Sequence, residues 1–163
     1  MRPRIRRLAV SRRAGIVIRE ADVSDAVSLA RLATQLGYPT TEEEAGRRAA
    51  AIFGRADHRV LIAVAGGDGV GWIHVAPNVT LESDPSAEVA GLVVDDRYRG
   101  QGIGARLLAE AEAWATAQGY ALMRVRSNVK RNRARRFYER AGFVVTKRQR
   151  NFEKRLEGSP APE

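Results

Sequence analysis

The chain contains no cysteine and only two histidines among 163 residues. The absence of cysteine excludes disulfides, zinc–thiolate centres and a cysteine nucleophile, and no residue cluster suggests a metal site. No apolar run approaches the roughly 20 residues that a membrane-spanning helix needs. The basic start also lacks the apolar segment and the small-residue cleavage site of a secretory signal peptide. We therefore predict a cytoplasmic protein without a membrane segment.

Length and composition predict a single folded domain. The chain is long enough for one hydrophobic core, and its 44% hydrophobic and 29% charged residues are ordinary for a globular protein. The net charge of +9 is uneven, because residues 1–14 contain six arginines and no acid. We expect residues 1–14 to be a disordered tail that can contact nucleic acid or acidic surfaces; the alternative is a leader or a mis-assigned start. We expect the domain over 15–156 and a flexible tail over 157–163.

The most informative stretch runs from Glu88 to Ala105. An apolar run from Val89 to Val94 predicts a strand, and the glycine-rich turn RGQGIG follows at 99–104, where a helical pattern begins. Glycines let the backbone approach a ligand, and the free N–H groups and dipole of a helix start favour an anion. The guanidinium of Arg99 suits phosphate oxygens. The stretch therefore predicts a site for a phosphorylated cofactor.

The spacing of these glycines excludes two common nucleotide sites. The turn is G-x-G-x-G and not G-x-G-x-x-G, and no G-K-[ST] follows it. Its strand also lies beyond the middle of the chain, whereas a dinucleotide fingerprint usually opens a βαβ unit.

Two ordered motifs instead resemble the GNAT superfamily of N-acetyltransferases. The pattern Arg/Gln-x-x-Gly-x-Gly/Ala of its acetyl-CoA loop is present at Arg99, Gly102 and Gly104. Residues 134–143, ARRFYERAGF, are similar to its A-x-x-F-Y-x-x-x-G-F segment. The resemblance covers roughly residues 15–155 and extends distantly to small bacterial aminoglycoside acetyltransferases. It implies acetyl-CoA as cosubstrate.

The resemblance implies an α/β (α+β) fold with a mixed, mostly antiparallel sheet of six to seven strands and helices on both faces. The residue patterns themselves predict the order β-α-α-β-β-β-α-β-α-β, with a last strand region from Phe143 to Leu156. In this family, the strand before the glycine-rich turn carries a bulge and splays from its neighbour. Free backbone N–H groups there can also form an oxyanion hole.

The resemblance also implies which residues bind the coenzyme. Arg131 stands where the family often has Asn, so either neighbouring asparagine can take over its contact, or Arg131 can meet the adenosine 3′-phosphate. The predicted coenzyme-binding residues are Leu92, Val93, Val94, Arg99, Gly100, Gln101, Gly102, Ile103, Gly104, Ala105, Asn128, Arg131, Asn132 and Tyr138.

Tyr138 and Glu88 are the predicted catalytic residues. Tyr138 is in the position of the family tyrosine that protonates the departing sulfur, and a phenol stays protonated at neutral pH. An amine of pKa near 10 must lose a proton before it attacks. Glu88, at the start of the strand before the glycine-rich turn, is the predicted base, acting directly or through water; its alternative role is an exposed carboxylate at a strand end.

Other ionisable side chains are weaker candidates for the base. Glu82 and Asp84 precede the same strand and can serve as base or recognise the amine. His74 can also serve, although a single His on a strand is more often structural. His58 receives no role. The acids Glu42, Glu43 and Glu44 can attract a cationic amine or stabilise the start of a helix.

We expect an enzyme that transfers acetyl from acetyl-CoA to a primary amine by direct attack in a ternary complex. The acceptor can be a small molecule or a peptide, and aminoglycosides, polyamines, amino-acid derivatives and protein N-termini remain open. The resemblance also allows a homodimer. The alternatives are a non-catalytic acyl-CoA-binding regulatory protein and, less favoured, a nucleic-acid-associated basic protein. The latter lacks an RNA-binding or helix-turn-helix signature.

Overall fold

A computed structural model describes residues 15–158. The predicted basic tail over 1–14 and the last residues of the predicted C-terminal tail, 159–163, lie outside the described residues. The chain divides into two compact units, with the boundary between Arg126 and Ser127. No helix of the described residues is long and apolar enough to cross a membrane.

The first unit is built on one sheet of five strands in chain order. The first three pairings, β1 to β4, are antiparallel, and β4 pairs with β5 in parallel. The prediction of a mixed, mostly antiparallel sheet is therefore confirmed. The strands are β1 (Val17–Glu20), β2 (Arg59–Ala65), β3 (Asp68–Asn78), β4 (Ser86–Val94) and β5 (Met123–Val125).

Three helices belong to this unit: α1 (Ala26–Leu36), α2 (Glu42–Ile52) and α3 (Ile103–Ala117). The helix α1 ends at Gly37, whose φ of 104° only glycine adopts readily. The helix α2 begins with a capping box, in which Thr41 and Glu44 each bind the other's backbone N–H.

The helices cover both faces of the sheet, as predicted. Successive side chains of a strand point to opposite faces. On one face, Trp72 and His74 of β3 line a cavity together with residues of α1 and α2. On the other face, the backbone of Gly71 approaches Leu107 of α3. The fully buried side chains of the unit include Leu32, Ile62, Ile73, Val75, Ile103, Leu107 and Leu108.

The second unit contains one helix, α4 (Asn132–Arg140), followed by residues without regular structure. The predicted strand over Phe143 to Leu156 is therefore wrong for the described residues. A strand needs a neighbour to satisfy its backbone groups and to bury its apolar face. Val144, Phe152 and Leu156 are instead 71–89% exposed. The absence of this strand leaves five strands where six to seven were expected.

We predict that Leu107→Ala lowers the free energy of unfolding by about 3 kcal/mol, because it leaves a cavity in the α3 interface. Leu107 is fully buried. The matched control is Leu81→Ala, whose side chain is fully exposed, and its effect should stay within about 0.5 kcal/mol. Urea denaturation measures both values. Equal effects of the two substitutions would contradict the assignment of Leu107 to the core.

Candidate functional site

The glycine-rich turn has the geometry that an anion site requires. Gly100 and Gly102 have φ of 77° and 79°, a left-handed conformation that disfavours other residues. Gly102 is the N-cap of α3 and offers no side-chain cap. The first-turn amides of α3 therefore have no side-chain acceptor from the N-cap position. Ile103 directs its side chain into the core, where it is 1% exposed, so only its main chain can serve a ligand.

Arg99 is held within the turn and does not extend into solvent. Its Nη2 lies 2.6 Å from Oδ1 of Asp96, and its Nε donates to the carbonyl oxygen of Val94 at 3.3 Å. The side chain keeps about a third of its surface exposed. The guanidinium is therefore fixed beside the start of α3 with part of its surface open to a ligand.

Asp95 anchors the end of β4 immediately before this turn. Its carboxylate is fully buried and accepts from the Nε and Nη2 of Arg97, at 3.1 and 2.9 Å. Arg31 of α1 donates to the same carboxylate and to the carbonyl oxygen of Gly69. The bonds from Arg97, with help from Arg31, hold the pKa of the Asp95 carboxyl well below its usual range. Asp95 therefore connects α1, the start of β3 and the glycine-rich turn.

The strand β4 contains a bulge and separates from β5. Across β3 and β4, His74 pairs with Gly91 and Val75 pairs with Val89, so Ala90 is the extra residue. The β5 strand pairs with β4 only over Ala87–Val89 within the described part of the chain. From Ala90 onward, no described strand pairs with the edge of β4 that is turned away from β3, and Leu92 to Val94 lie on this open edge.

An apolar cavity of about 330 Å³ lies between the sheet and the helices α1 and α2. This volume is in the range of small-molecule sites. Among the described lining residues, only Arg48 carries a charge at neutral pH. The bulge residue Ala90 and its neighbour Gly91 form part of the wall. The lining residues are Leu29, Ala33, Leu36, Tyr38, Thr40, Ala45, Arg48, Ala49, Ile52, Phe53, Val60, Trp72, His74, Ala90 and Gly91.

The lack of a side chain at Gly91 leaves room for the Trp72 ring in this wall. A Cβ at position 91 would lie 2.7 and 2.8 Å from two ring carbons of Trp72, closer than carbon atoms can approach. The indole nitrogen of Trp72 is buried and has no hydrogen-bond partner among residues 15–158. The wall of the cavity thus includes a flat aromatic surface.

His74 meets His58 at the edge of the cavity. The Nδ1 of His58 lies 2.9 Å from the Nε2 of His74, and the two rings stack with centroids 5.2 Å apart. Burial, with a smaller contribution from the His58 charge, lowers the pKa of His74 to about 4. Asp57 lies beyond His58, with its Oδ1 3.9 Å from Nε2. His74 is therefore a neutral imidazole at neutral pH.

Glu88 is held by a neighbouring cation. Its two carboxylate oxygens lie 3.0 and 3.1 Å from the Nε and Nη2 of Arg126. It lies on β4 two residues before the bulge but does not line the cavity. Glu82 and Asp84 are exposed in the connection from β3 to β4.

The remaining predicted site residues belong to the second unit. Burial raises the pKa of Tyr138 to about 12, and its ring packs edge-on against Phe137 and Phe143. Arg131 is the N-cap of α4, and Asn132 is the first residue of that helix. Asn128 accepts a hydrogen bond from the backbone N–H of Lys130 through its side-chain oxygen.

The structure thus brings together the predicted residues of the first unit, from Leu92 to Ala105, along one strand and the turn after it. Asp95, Arg31 and the hydrogen bond between His58 and His74 are part of this region but were not among the predicted site residues. For Asp95 a signal was present, namely a carboxylate between an apolar strand and a glycine-rich turn. Among residues 15–158, no group of three or more His, Asp or Glu side chains is placed to hold a metal ion.

The chain was compared with models of protein families, with curated sequences and with solved structures. The model of the acetyltransferase (GNAT) family matches residues 25–143, well over half of the chain. No curated protein sequence matches the chain.

Several solved structures are similar. A transcriptional regulator from Bacillus halodurans C-125 is 25% identical, with a TM-score of 0.75 over 85% of this chain and 99% of that chain. An aminoglycoside N-acetyltransferase in complex with CoA is 20% identical, with a TM-score of 0.79 over 90% of this chain and 99% of that chain. Glucosamine-6-phosphate N-acetyltransferase from Arabidopsis thaliana is 22% identical, with a TM-score of 0.73 over 85% and 99%.

We predict that Asp95→Asn lowers the free energy of unfolding by about 2 kcal/mol at pH 7, because it removes the charge from a buried, multiply bonded acceptor. The folded state lowers the pKa of this carboxyl. Its stabilisation is therefore complete above the ordinary value of about 4 and is lost as the pH falls below it. Urea denaturation of both proteins across this range should show the difference shrinking in acid.

The control for this prediction is Asp84→Asn, which changes an exposed carboxylate of the first unit. Its effect on stability should stay within about 0.5 kcal/mol at every pH. A difference between wild type and Asp95→Asn that grows as the pH falls would contradict the role assigned to Asp95.

Proposed function

The chain belongs to the acetyltransferase (GNAT) family and is an acetyl-CoA-dependent N-acetyltransferase, and we propose that its acceptor is a primary amine on an apolar body that enters the α1–α2 cavity. The proposal is based mainly on the position of the cavity next to β4. Its wall includes Ala90 and Gly91, where β4 bulges and begins to separate from β5. An amine bound in the cavity would therefore lie beside the open edge of β4.

The coenzyme would lie along that open edge. The pantetheine arm is proposed to bond the main chain of Leu92 to Val94, and the pyrophosphate to accept from the amides at the start of α3 with Arg99 beside them. The open edge and the two left-handed glycines support this arrangement. A solved structure of similar fold contains CoA.

Asn128, Arg131 and Asn132 remain proposed contacts of the adenosine end. Residues 127–158 contain eleven basic and three acidic residues. This excess of positive charge suits a ligand that carries several phosphate charges, because it raises the local concentration of the anion. Arg131 is proposed for the 3′-phosphate, where its planar guanidinium can donate two hydrogen bonds.

The reaction needs a neutral amine and a proton for the leaving group. The amine nitrogen attacks the thioester carbonyl, a C–N bond forms, and the C–S bond breaks with release of the CoA thiolate. The open main-chain N–H groups of β4 near the bulge are proposed to stabilise the oxyanion. Tyr138 is proposed to protonate the sulfur, and burial keeps its phenol protonated at neutral pH. Glu88 stays a candidate base, although Arg126 occupies both of its oxygens.

The charge of the cavity favours an apolar acceptor over a polycation. No described lining residue is a carboxylate, and the one fixed charge is the cation Arg48. A polyamine or an aminoglycoside would place several ammonium groups against aliphatic and aromatic walls, at a high desolvation cost. An aralkyl amine would bury its ring against Trp72 and Phe53 instead. The similar structures include enzymes named for aminoglycosides and for glucosamine 6-phosphate, so amine acetylation is common to these neighbours while the acceptor differs.

We predict that phenethylamine and tryptamine are better acceptors than spermidine and kanamycin by at least about tenfold in kcat/KM, since a tenfold ratio needs only 1.4 kcal/mol of better burial. Release of CoA thiol measures the rates. A thermal melt with acetyl-CoA at about a hundred times its Kd should add roughly 2.7 kcal/mol of stability. A preference for kanamycin would contradict the proposed acceptor. Stabilisation by acetyl-CoA without turnover of any amine would favour the regulatory alternative.

A pair of variants tests whether the amine occupies the cavity. Ala33 lines it, so Ala33→Phe should raise KM for phenethylamine at least about tenfold, because the added ring takes the place of the ligand. The KM for acetyl-CoA should not change. Ala113→Phe places the same ring on the exposed side of α3 and serves as the control. Equal KM values in the two variants would place the acceptor elsewhere.

We predict that Tyr138→Phe lowers kcat by about 100-fold or more, the usual range for loss of a general acid. The Kd of acetyl-CoA should change less than about threefold, because the phenylalanine keeps the packing of the ring. Tyr120→Phe is the control, since it removes the same hydroxyl from a tyrosine that has no proposed role. Full activity of Tyr138→Phe would remove this tyrosine from the mechanism.

A further inference from the structure

We propose that His74 and His58 form a two-residue proton relay that carries the proton of the acceptor ammonium from the cavity to solvent. The inference rests on the proposed function, because it concerns the amine bound in the α1–α2 cavity. Its basis is a juxtaposition that the sequence did not reveal. The chain has only two histidines, and their rings are hydrogen bonded at 2.9 Å, with His74 in the cavity wall.

The chain of contacts leads from the cavity towards the surface. His74 is half-buried on β3, whereas His58 precedes β2 and keeps 18% of its side chain exposed. Asp57 is 46% exposed and lies 3.9 Å from the outer nitrogen of His58. No hydrogen bond from another described residue reaches the Nδ1 of His74. That nitrogen is therefore free to accept from a ligand.

The proton movements balance with both rings in the Nε2–H tautomer at the start. The ammonium N–H bond breaks as Nδ1 of His74 takes the proton. The Nε2 proton of His74 passes to the lone pair on Nδ1 of His58, and Nε2 of His58 releases its own proton to water beside Asp57. The amine is then neutral and ready to attack, and both imidazoles are neutral in the opposite tautomer.

Burial explains why a relay suits this place better than a single base. A positive charge on His74 is disfavoured, since burial holds its pKa near 4. A transfer in which one proton leaves the ring as another arrives avoids the buried imidazolium. The charged or titratable groups near the pair are Arg48 and Tyr38 in the cavity lining and Asp57 beside His58. Arg48 also disfavours a second cation in the cavity and so helps the ammonium to lose its proton.

The first test needs no catalysis. Ring-nitrogen spectra of the 15N-histidine-labelled protein at pH 7 should show two neutral imidazoles, each with its proton on Nε2. The variant His58→Gln should change the nitrogen shifts of His74, because it replaces the ring that accepts from Nε2. A protonated Nδ1 on His74, or a His74 spectrum that is the same in His58→Gln, would overturn the relay whatever the activity of the enzyme.

The second test compares two acceptors of similar shape, phenethylamine and 4-ethylaniline. The aromatic amine is already neutral at pH 7 and needs no base before attack. His74→Gln should therefore lower kcat at least about 100-fold with phenethylamine and less than about threefold with 4-ethylaniline. His58→Gln should lower kcat about tenfold or more with phenethylamine, at an unchanged KM. A loss of packing would affect the two acceptors equally.

The outcomes separate the relay from the function on which it rests. Acetylation of phenethylamine at wild-type rates by both variants would overturn the relay and leave the proposed function intact. The same selective loss in Glu88→Gln, and not in His74→Gln, would assign the base to Glu88. If His74→Gln does not fold, His58→Gln alone decides, because His58 lies at the surface end of the pair. A wild type that acetylates neither amine would overturn the proposed acceptor, and the relay with it.

Discussion

The extra residue at Ala90 is the constraint on which the rest of the site depends. Before it, β4 is a central strand paired on both sides; after it, β4 keeps its pairing with β3 and separates from β5. Beyond this bulge, the edge of β4 that faced β5 has no described strand partner, and Gly91 lies against the Trp72 ring. One inserted residue therefore produces both the unpaired backbone edge proposed for the pantetheine arm and a wall of the apolar cavity.

The buried carboxylate of Asp95 connects this strand to the turn that follows. Its bonds reach α1 through Arg31 and the turn through Arg97, while its own N–H donates to the carbonyl oxygen of Val70 at 2.8 Å. A buried charge is tolerated only when it is well bonded, and here the bonds to the carboxylate come from Arg31 of α1 and from Arg97 just before the glycine-rich turn. The turn that precedes α3 is accordingly fixed by the same packing that places α1 over the cavity. The glycine-rich turn and the apolar cavity are thus connected through the packing of the first unit.

The sequence predicted the parts of this site that depend on local backbone. Gly102 and the start of α3 were predictable because a left-handed residue before a helical pattern has a strong local signature. The pairing of His58 with His74 was not, since it joins the residue just before β2 to a residue of β3 and depends on how these two strands pair. The strand predicted from Phe143 onward is absent from the described residues. Many charges separate its apolar residues, and these apolar side chains are exposed. Tertiary partners, which local patterns do not contain, decide such cases.

An apolar cavity solves part of the chemical problem that amine acetylation poses. An ammonium ion that enters it loses hydration, and its pKa falls for the same reason that burial lowers the pKa of His74. Burial therefore favours the neutral form of both groups, the aliphatic amine and the imidazole. Under the proposed function, walls that select an apolar acceptor would also prepare its nitrogen for attack. Selectivity for the proposed acceptor and its activation would then have one physical origin, the desolvation of charge beside Trp72 and His74.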